Sequence, residues 1–161
     1  LYKCIEFPLK WNYVMSLMVN VDAADTIAFK ENNKWYILTN ICSANVGDHN
    51  SELYLFSSDK LITNEWAGSK SNPIIFDSLK ARNAGFFKLN GIKYRINQVQ
   101  GKNHYGKSFE INEINSISSN SYKETKITRV DPIYLEKIIS THHFHTNGIF
   151  TVFDHGKNEI I

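Results

Sequence analysis

The 161-residue chain lacks any apolar run near the roughly 18 residues that carry a helix across a bilayer, so no membrane-spanning helix is expected. It has only two cysteines, Cys4 and Cys42, far apart in sequence. A disulfide scaffold is excluded; the two can pair with each other, but free thiols in a reducing compartment are the expectation. The chain is rich in asparagine yet holds no Asn-x-Ser/Thr sequon, which points away from secretion and toward the cytoplasm. Neither sign of charge prevails: 18 Lys and Arg stand against 16 Asp and Glu, with the lysines scattered. Such a balance excludes the strong field that would select nucleic acid or an anionic membrane. Also missing are a glycine-rich phosphate loop, a Gly-x-Ser-x-Gly elbow and a Cys/His nucleophile pattern. No segment keeps a long helical period. The chain opens without Met and in mid-pattern, as a piece of a longer protein does, and a targeting signal would have gone with the rest.

What the chain does have is apolar and aromatic residues, 42% and 13%, arranged in a repeat. The segment Asp25–Tyr36 recurs as Asn83–Tyr94: Phe29 falls on Phe87, Lys30 on Lys88, Asn32 on Asn90 and Tyr36 on Tyr94, a shift of 58. A fainter third copy, Ser140–Thr151, is shifted by a further 57, and Asp59–Trp66 echoes in Asn115–Tyr122 at a shift of 56. A strand-rich repeat of this length is the mark of a β-propeller blade.

The strand signals agree. Tyr13–Val19 reads as a buried strand closing a preceding blade. Thr26–Lys30 and Lys34–Asn40 form a hairpin about Glu31–Asn33, since Asn tolerates positive φ. Glu52–Ser58 is a strand buried on both faces, Asp59–Glu65 a polar connection, and Trp66 begins a short edge segment. Ala84–Leu89 turns through Asn90-Gly91 into Ile92–Val99, followed by strands Tyr105–Ile114 and Tyr122–Arg129 about a loop at Asn115–Ser121. Pro132–Ile139 reads as a helical turn or linker, and Thr141–Thr146 turns through Asn147-Gly148 into Ile149–Asp154. The units are about residues 22–80, 81–135 and 136–161, with 1–21 ending a preceding blade. The expectation is an all-β chain covering about two and a half blades, each of four antiparallel strands. Propellers close with four to eight blades, so further blades, or another partner, are implied.

In a propeller the first strand of each blade lines the channel, and its entry residues converge at one mouth. The repeat puts Asp25, Asn83 and Ser140 at equivalent places, with Arg82 adjacent and His142, His143 and His145 on the third innermost strand. A ring of such groups suits hydroxyl-rich ligands, which take several directional hydrogen bonds at once. Asp25 reads as general base or sugar acceptor, or as a turn residue capping its own backbone, with Asp22 a competitor and Glu52 a second carboxylate or a surface residue. Arg82 clamps an anion or pairs with Asp25. Asp48 and His49 lie in a long loop, Ser43–Ser51, and Gln98, Gln100, His104 and Tyr105 occupy the matching loop of the next unit, which favours binding there. His143 and His145 share a strand face, but without Cys or carboxylate at ligand spacing no metal site and no cofactor are expected.

Ala24–Phe29 with Lys34-Trp-Tyr, then Asp48-His49, Glu52–Leu55, Ser71–Ile74, Ala81–Phe87 and Tyr94–Gln98, come in an order that resembles one family. It is the propeller domain at the N-terminus of glucosamine inositolphosphorylceramide transferases. A similar domain is fused to bacterial formyltransferase-like proteins, and it looks like the five-bladed propellers of the superfamily of arabinanases and fructosidases. The resemblance spans about residues 20–155, and Arg82–Gly85 is its sharpest element. It implies a five-bladed propeller with a carbohydrate-facing mouth. In the glycosidases three carboxylates on different blades act as base, modulator and acid. Asp25 matches the first, whereas Asn83 stands where the second would be Asp. Three functions follow: a carbohydrate-recognising domain accessory to a sugar-modifying, glycosyl- or formyl-transferring enzyme, a glycosidase-like enzyme, or a protein-interaction scaffold. The partners expected are a carbohydrate or sugar-nucleotide-like molecule, further blades and a fused catalytic domain.

Overall fold

The computed structural model describes residues 1–43 and 47–157, and among these every regular element is a β-strand. A hairpin of β1 (Tyr2–Glu6) and β2 (Lys10–Tyr13) opens the chain. The first repeat follows as β3 (Ala23–Glu31), β4 (Lys34–Ile41) and β5 (Glu52–Ser58), with two short strands, β6 (Ala67–Gly68) and β7 (Ile75–Phe76), both paired to β5. The second repeat is a four-stranded antiparallel meander of β8 (Asn83–Leu89), β9 (Ile92–Gly101), β10 (His104–Ser118) and β11 (Ser121–Val130). A third, shorter unit pairs β12 (Ile138–Ser140) with β15 (Gly156–Lys157) and β13 (Phe144–Thr146) with β14 (Thr151–Phe153).

Cross-strand register shows the repeat most directly. Ala28 faces Ile37, Phe29 faces Tyr36 and Lys30 faces Trp35. One repeat on, Phe86 faces Arg95, Phe87 faces Tyr94 and Lys88 faces Lys93. In the third unit Phe144 faces Phe153, His145 faces Val152 and Thr146 faces Thr151. The third copy therefore stands a further 58 residues on, and the expected 57 is corrected by one. Asn147 causes the slip: its carboxamide oxygen accepts from the N–H groups of Ile149 and Phe150, so the chain turns at Gly148-Ile149 rather than Asn147-Gly148. Because side chains alternate in a strand, a slip of one exchanges faces. Phe144 takes the place of Phe86, and Thr141, not Ser140, takes that of Asp25 and Asn83.

The sheets stack in sequence order. One face of the first sheet, with Phe29, Tyr36, Leu38 and Leu55, packs on Phe86, Ile114, Ile117 and Tyr122 of the second. The same face of the second, with Phe87, Ile96 and Phe109, packs on Phe144 of the third unit. Phe29 stacks on Phe86 at 4.6 Å, and Phe87 meets Phe144 edge-on at 5.7 Å.

Other expectations need correction. Tyr13–Val19 is not a buried strand: pairing ends at Tyr13, and Tyr13 and Val19 are exposed. Asn115–Ser121 is not a loop, because β10 runs on to Ser118 and turns at Ser119-Asn120. Asp59–Trp66, its supposed echo, lies outside strands. The Thr141–Thr146 strand is broken, since the Asp154 carboxylate accepts from the N–H groups of His142 and His143 and keeps them out of the ladder. Of the two alternatives at Pro132–Ile139, the bends and turns up to Lys137 fit the linker, and Ile138 and Ile139 belong to β12. The Ser43–Ser51 loop and the end of the third unit fall partly outside the described residues.

Gly85 marks the closest approach between units. It adopts φ +129°, and a Cβ there would lie 2.0 Å from the Phe144 carbonyl oxygen. Gly91 and Gly148 also have positive φ but face open space. Gly85→Ala is expected to detach the third unit and lower the thermal midpoint sharply, whereas Gly91→Ala costs only backbone strain of roughly 1–3 kcal/mol. Thermal denaturation of both variants checks the contrast.

Candidate functional site

The residues the repeat brings together lie along the seam between the first two sheets. Asp25 sits at an irregularity of the β3–β4 ladder, between the Ala24 and Ile27 pairings, with a left-handed φ of 48°. Its carboxylate accepts from Arg82 Nε, and from Gln98 Nε2 at 3.2 Å. Its carbonyl accepts from Asn83 Nδ2 at 2.9 Å. Asn83 also donates to the Leu38 carbonyl, while the Asn83 N–H donates to Asn40 Oδ1. Gln98 Oε1 accepts from Gln100, whose own oxygen takes the Gly106 N–H, so the network runs on toward Tyr105 and His142.

Beneath this lies a charge that sequence reasoning missed. Arg95 is fully buried on β9, paired with Glu124 of β11 through two hydrogen bonds of 2.7 and 2.6 Å. It also donates to Asn83 Oδ1 at 3.2 Å and to the Lys80 carbonyl at 2.8 Å. Burial alone would pull the guanidinium down, but the Glu124 carboxylate outweighs it and raises the group above its ordinary value. Burial, and then the Glu124 charge, push the Tyr122 phenol well above its ordinary value. The signal available in the sequence was Arg95 itself, lying within the strand Ile92–Val99.

The equivalent positions differ in access. Asp25 keeps 34% of its side chain exposed and Arg82 15%, whereas Asn83 and Thr141 are fully buried. Asn83 spends both amide hydrogens on carbonyls and holds structure rather than facing solvent. Thr141 hydrogen-bonds to Tyr134 and the Asp154 carbonyl. Ser140 lies one place before it, on β12.

The other expected residues stand apart. Asp48 caps its own turn, accepting from the N–H groups of Asn50 and Ser51. Its slight burial pushes the carboxyl up, but the Ser51 and Asn50 hydrogen bonds outweigh this and hold it below the ordinary carboxylate value. His49 Nε2 lies 3.1 Å from Asp22 Oδ1, and Glu52 accepts from Tyr54 and Ser43. Of His142, His143 and His145 only the last lies in a strand, β13; His142 and His143 fall in the break, and His142 Nδ1 lies 2.7 Å from Asp154 Oδ2. Among the described residues, no three His, Cys, Asp or Glu side chains are grouped to hold a metal ion. A groove of about 590 Å³, lined by residues including Lys34, Ser57, Lys60 and Asn120, touches none of the expected site residues.

The fold and this seam define the class: an all-β domain of repeated antiparallel sheets joined by a buried polar network. The chain matches, over residues 1–137, the family described as glucosamine inositolphosphorylceramide transferase 1, N-terminal, and it belongs to that family. It is 30% identical over 130 residues to glucosamine inositolphosphorylceramide transferase 1 of Arabidopsis thaliana, which takes in 79% of this chain and 17% of that protein. The chain thus spans a small fraction of that relative's length. No solved structure matches the chain. The family match includes Asp25, Arg82, Asn83 and Gln98 and stops before the three histidines of the third unit.

Two measurements probe these environments. Arg95→Ala strands Glu124 without a cation and is expected to cost about 3–5 kcal/mol in chemical denaturation, while Lys10→Ala, which breaks an exposed pair, leaves stability unchanged. Burial first, then the neighbouring His143 charge, hold the His145 imidazole below its ordinary value, against a Phe86 backbone hydrogen bond that raises it. The unfolded chain therefore takes up this proton more readily. The associated stability is present above the ordinary imidazole range and is lost as pH falls through the folded value. By NMR titration, His143→Gln is expected to move the His145 midpoint upward.

Proposed function

We propose that this chain is part of a five-bladed β-propeller whose mouth recognises carbohydrate, and that it is accessory to a sugar-modifying or glycosyl-transferring enzyme. Support for the ring comes from the stacking: each sheet presents the same face forward to the next, a head-to-tail contact that closes when rotation allows. Support for the accessory role comes from family membership and from a relative named glucosamine inositolphosphorylceramide transferase 1.

The observation that carries the ligand reading is Asp25. A partly exposed carboxylate is held in a left-handed backbone by Asn83, Arg82 and Gln98, all from the adjacent repeat. A fixed acceptor beside a fixed guanidinium and amides is the arrangement that binds hydroxyls directionally. Hydrolysis asks for two separated carboxyl groups. In this network the described residues offer Asp25 alone, Glu124 being buried against Arg95.

Glycan-array binding and hydrolysis of aryl glycosides, run on wild type and Asp25→Ala, test the reading. Retention of a glycan without turnover, lost by at least tenfold in the variant, is the expected result. Turnover would favour the glycosidase, and unaltered binding in Asp25→Ala would remove the site from this seam.

A further inference from the structure

Arg82 is under-used. Its side chain as a whole is only 15% exposed. Its Nε alone finds a protein partner, the Asp25 carboxylate. Among the described residues the two terminal nitrogens, which carry four N–H groups, meet no protein acceptor. Among the described residues, neither nitrogen is one of the sealed polar atoms that lack a hydrogen bond. The planar end of the fork is therefore open at the seam, while Asp25 fixes its side edge.

We propose, resting on the carbohydrate reading above, that the ligand carries an oxyanion, a carboxylate or a phosphate on a hydroxylated ring, and that Arg82 selects it. The end of a guanidinium matches two oxygens of such a group in parallel hydrogen bonds, which a lone hydroxyl does not. Asp25 has a role compatible with this. Its Oδ2 is engaged by Arg82 and Gln98, and Oδ1 has no protein donor among the described residues, so it accepts from a ring hydroxyl beside the anion. The other carboxylate of the network, Glu124, is taken by Arg95. The equivalents of Arg82 are Ala24 and Ser140, so the described repeats put a guanidinium at this one seam.

The test uses a glycan array sorted into neutral, uronate-bearing and phosphorylated members, read with wild type, Arg82→Lys and Arg82→Gln, together with NMR of ¹⁵N-arginine in the wild-type chain. The lysine variant keeps the charge and can still pair with Asp25, so it separates loss of the fork from loss of the fold. Acidic glycans are expected to bind about tenfold more tightly than neutral counterparts. That margin should collapse in both variants, with the Arg82 side-chain nitrogen signals moving when the acidic glycan is added to wild type. Selection of uronates alone or of phosphorylated glycans alone identifies the source of the oxyanion, and either supports the proposal. Equal binding of neutral and acidic glycans, or a margin that survives Arg82→Lys, overturns it and leaves carbohydrate recognition standing. Retention of no glycan of any class overturns both.

Discussion

The seam between the repeats is organised by one fully buried arginine. Removing Arg95 from water is expensive, and a single carboxylate seldom offsets the cost unless the remaining N–H groups are also satisfied. Here Glu124 takes two of them, and the Lys80 carbonyl and Asn83 side chain take others. Lys80 and Asn83 flank the point where the chain passes from the first repeat into the second. The ion pair thus fixes the entry to β8. It also fixes which way the Asn83 amide points, because its oxygen faces a cation and its nitrogen must then face the Asp25 and Leu38 carbonyls. The left-handed backbone of Asp25 follows from that orientation as much as from Asp25 itself.

Two kinds of interaction divide the seam along its length. Below the polar knot the contact is apolar and stacked, Phe29 on Phe86, with Leu38 and Leu55 alongside. Lys93 and Glu31 tie the far end with an ion pair of 2.6 Å. Apolar packing is non-directional and would tolerate sliding of one sheet on the other. The amides and the guanidinium are directional and do not.

How far the sequence discloses this can be followed residue by residue. The hairpins about Asn32-Asn33 and Asn90-Gly91 were legible because positive φ is a local demand, and these residues meet it at 48°, 62°, 51° and 83°. The third hairpin departs by one residue from the Asn-Gly pattern because the Asn147 side chain moves the turn one residue on. Pairing of Arg82 with Asp25 stood as one of two alternatives, and only three-dimensional placement decided it. The role of Arg95 was hidden because nothing in a strand pattern shows that Glu124, two strands away in the same sheet, rises beside it. Tyr13–Val19 failed for the opposite reason: an apolar run is a necessary mark of a buried strand, but burial requires a partner sheet that the segment does not have among the described residues.

The three equivalent positions show that repetition sets place and neighbours set chemistry. Asp25, Asn83 and Thr141 stand at matching places in the repeat, Thr141 just past the end of β12, yet one is partly exposed and charged and two are buried. The residues at the neighbouring equivalent places account for the difference. Those beside the strand entry are Ala24, Arg82 and Ser140, and those across the ladder are Asn40, Gln98 and Gly156. Among the described residues, an arginine and a glutamine meet a carboxylate only at the first seam. In the third unit Gly156 leaves no amide to offer, and a Cβ there would lie 2.2 Å from Ser140 Oγ. Equivalence of place in the repeat is therefore not equivalence of chemistry at these three positions. The repeat builds the frame, and among the described residues one seam within it carries a charged pair whose arginine has donors without a protein acceptor.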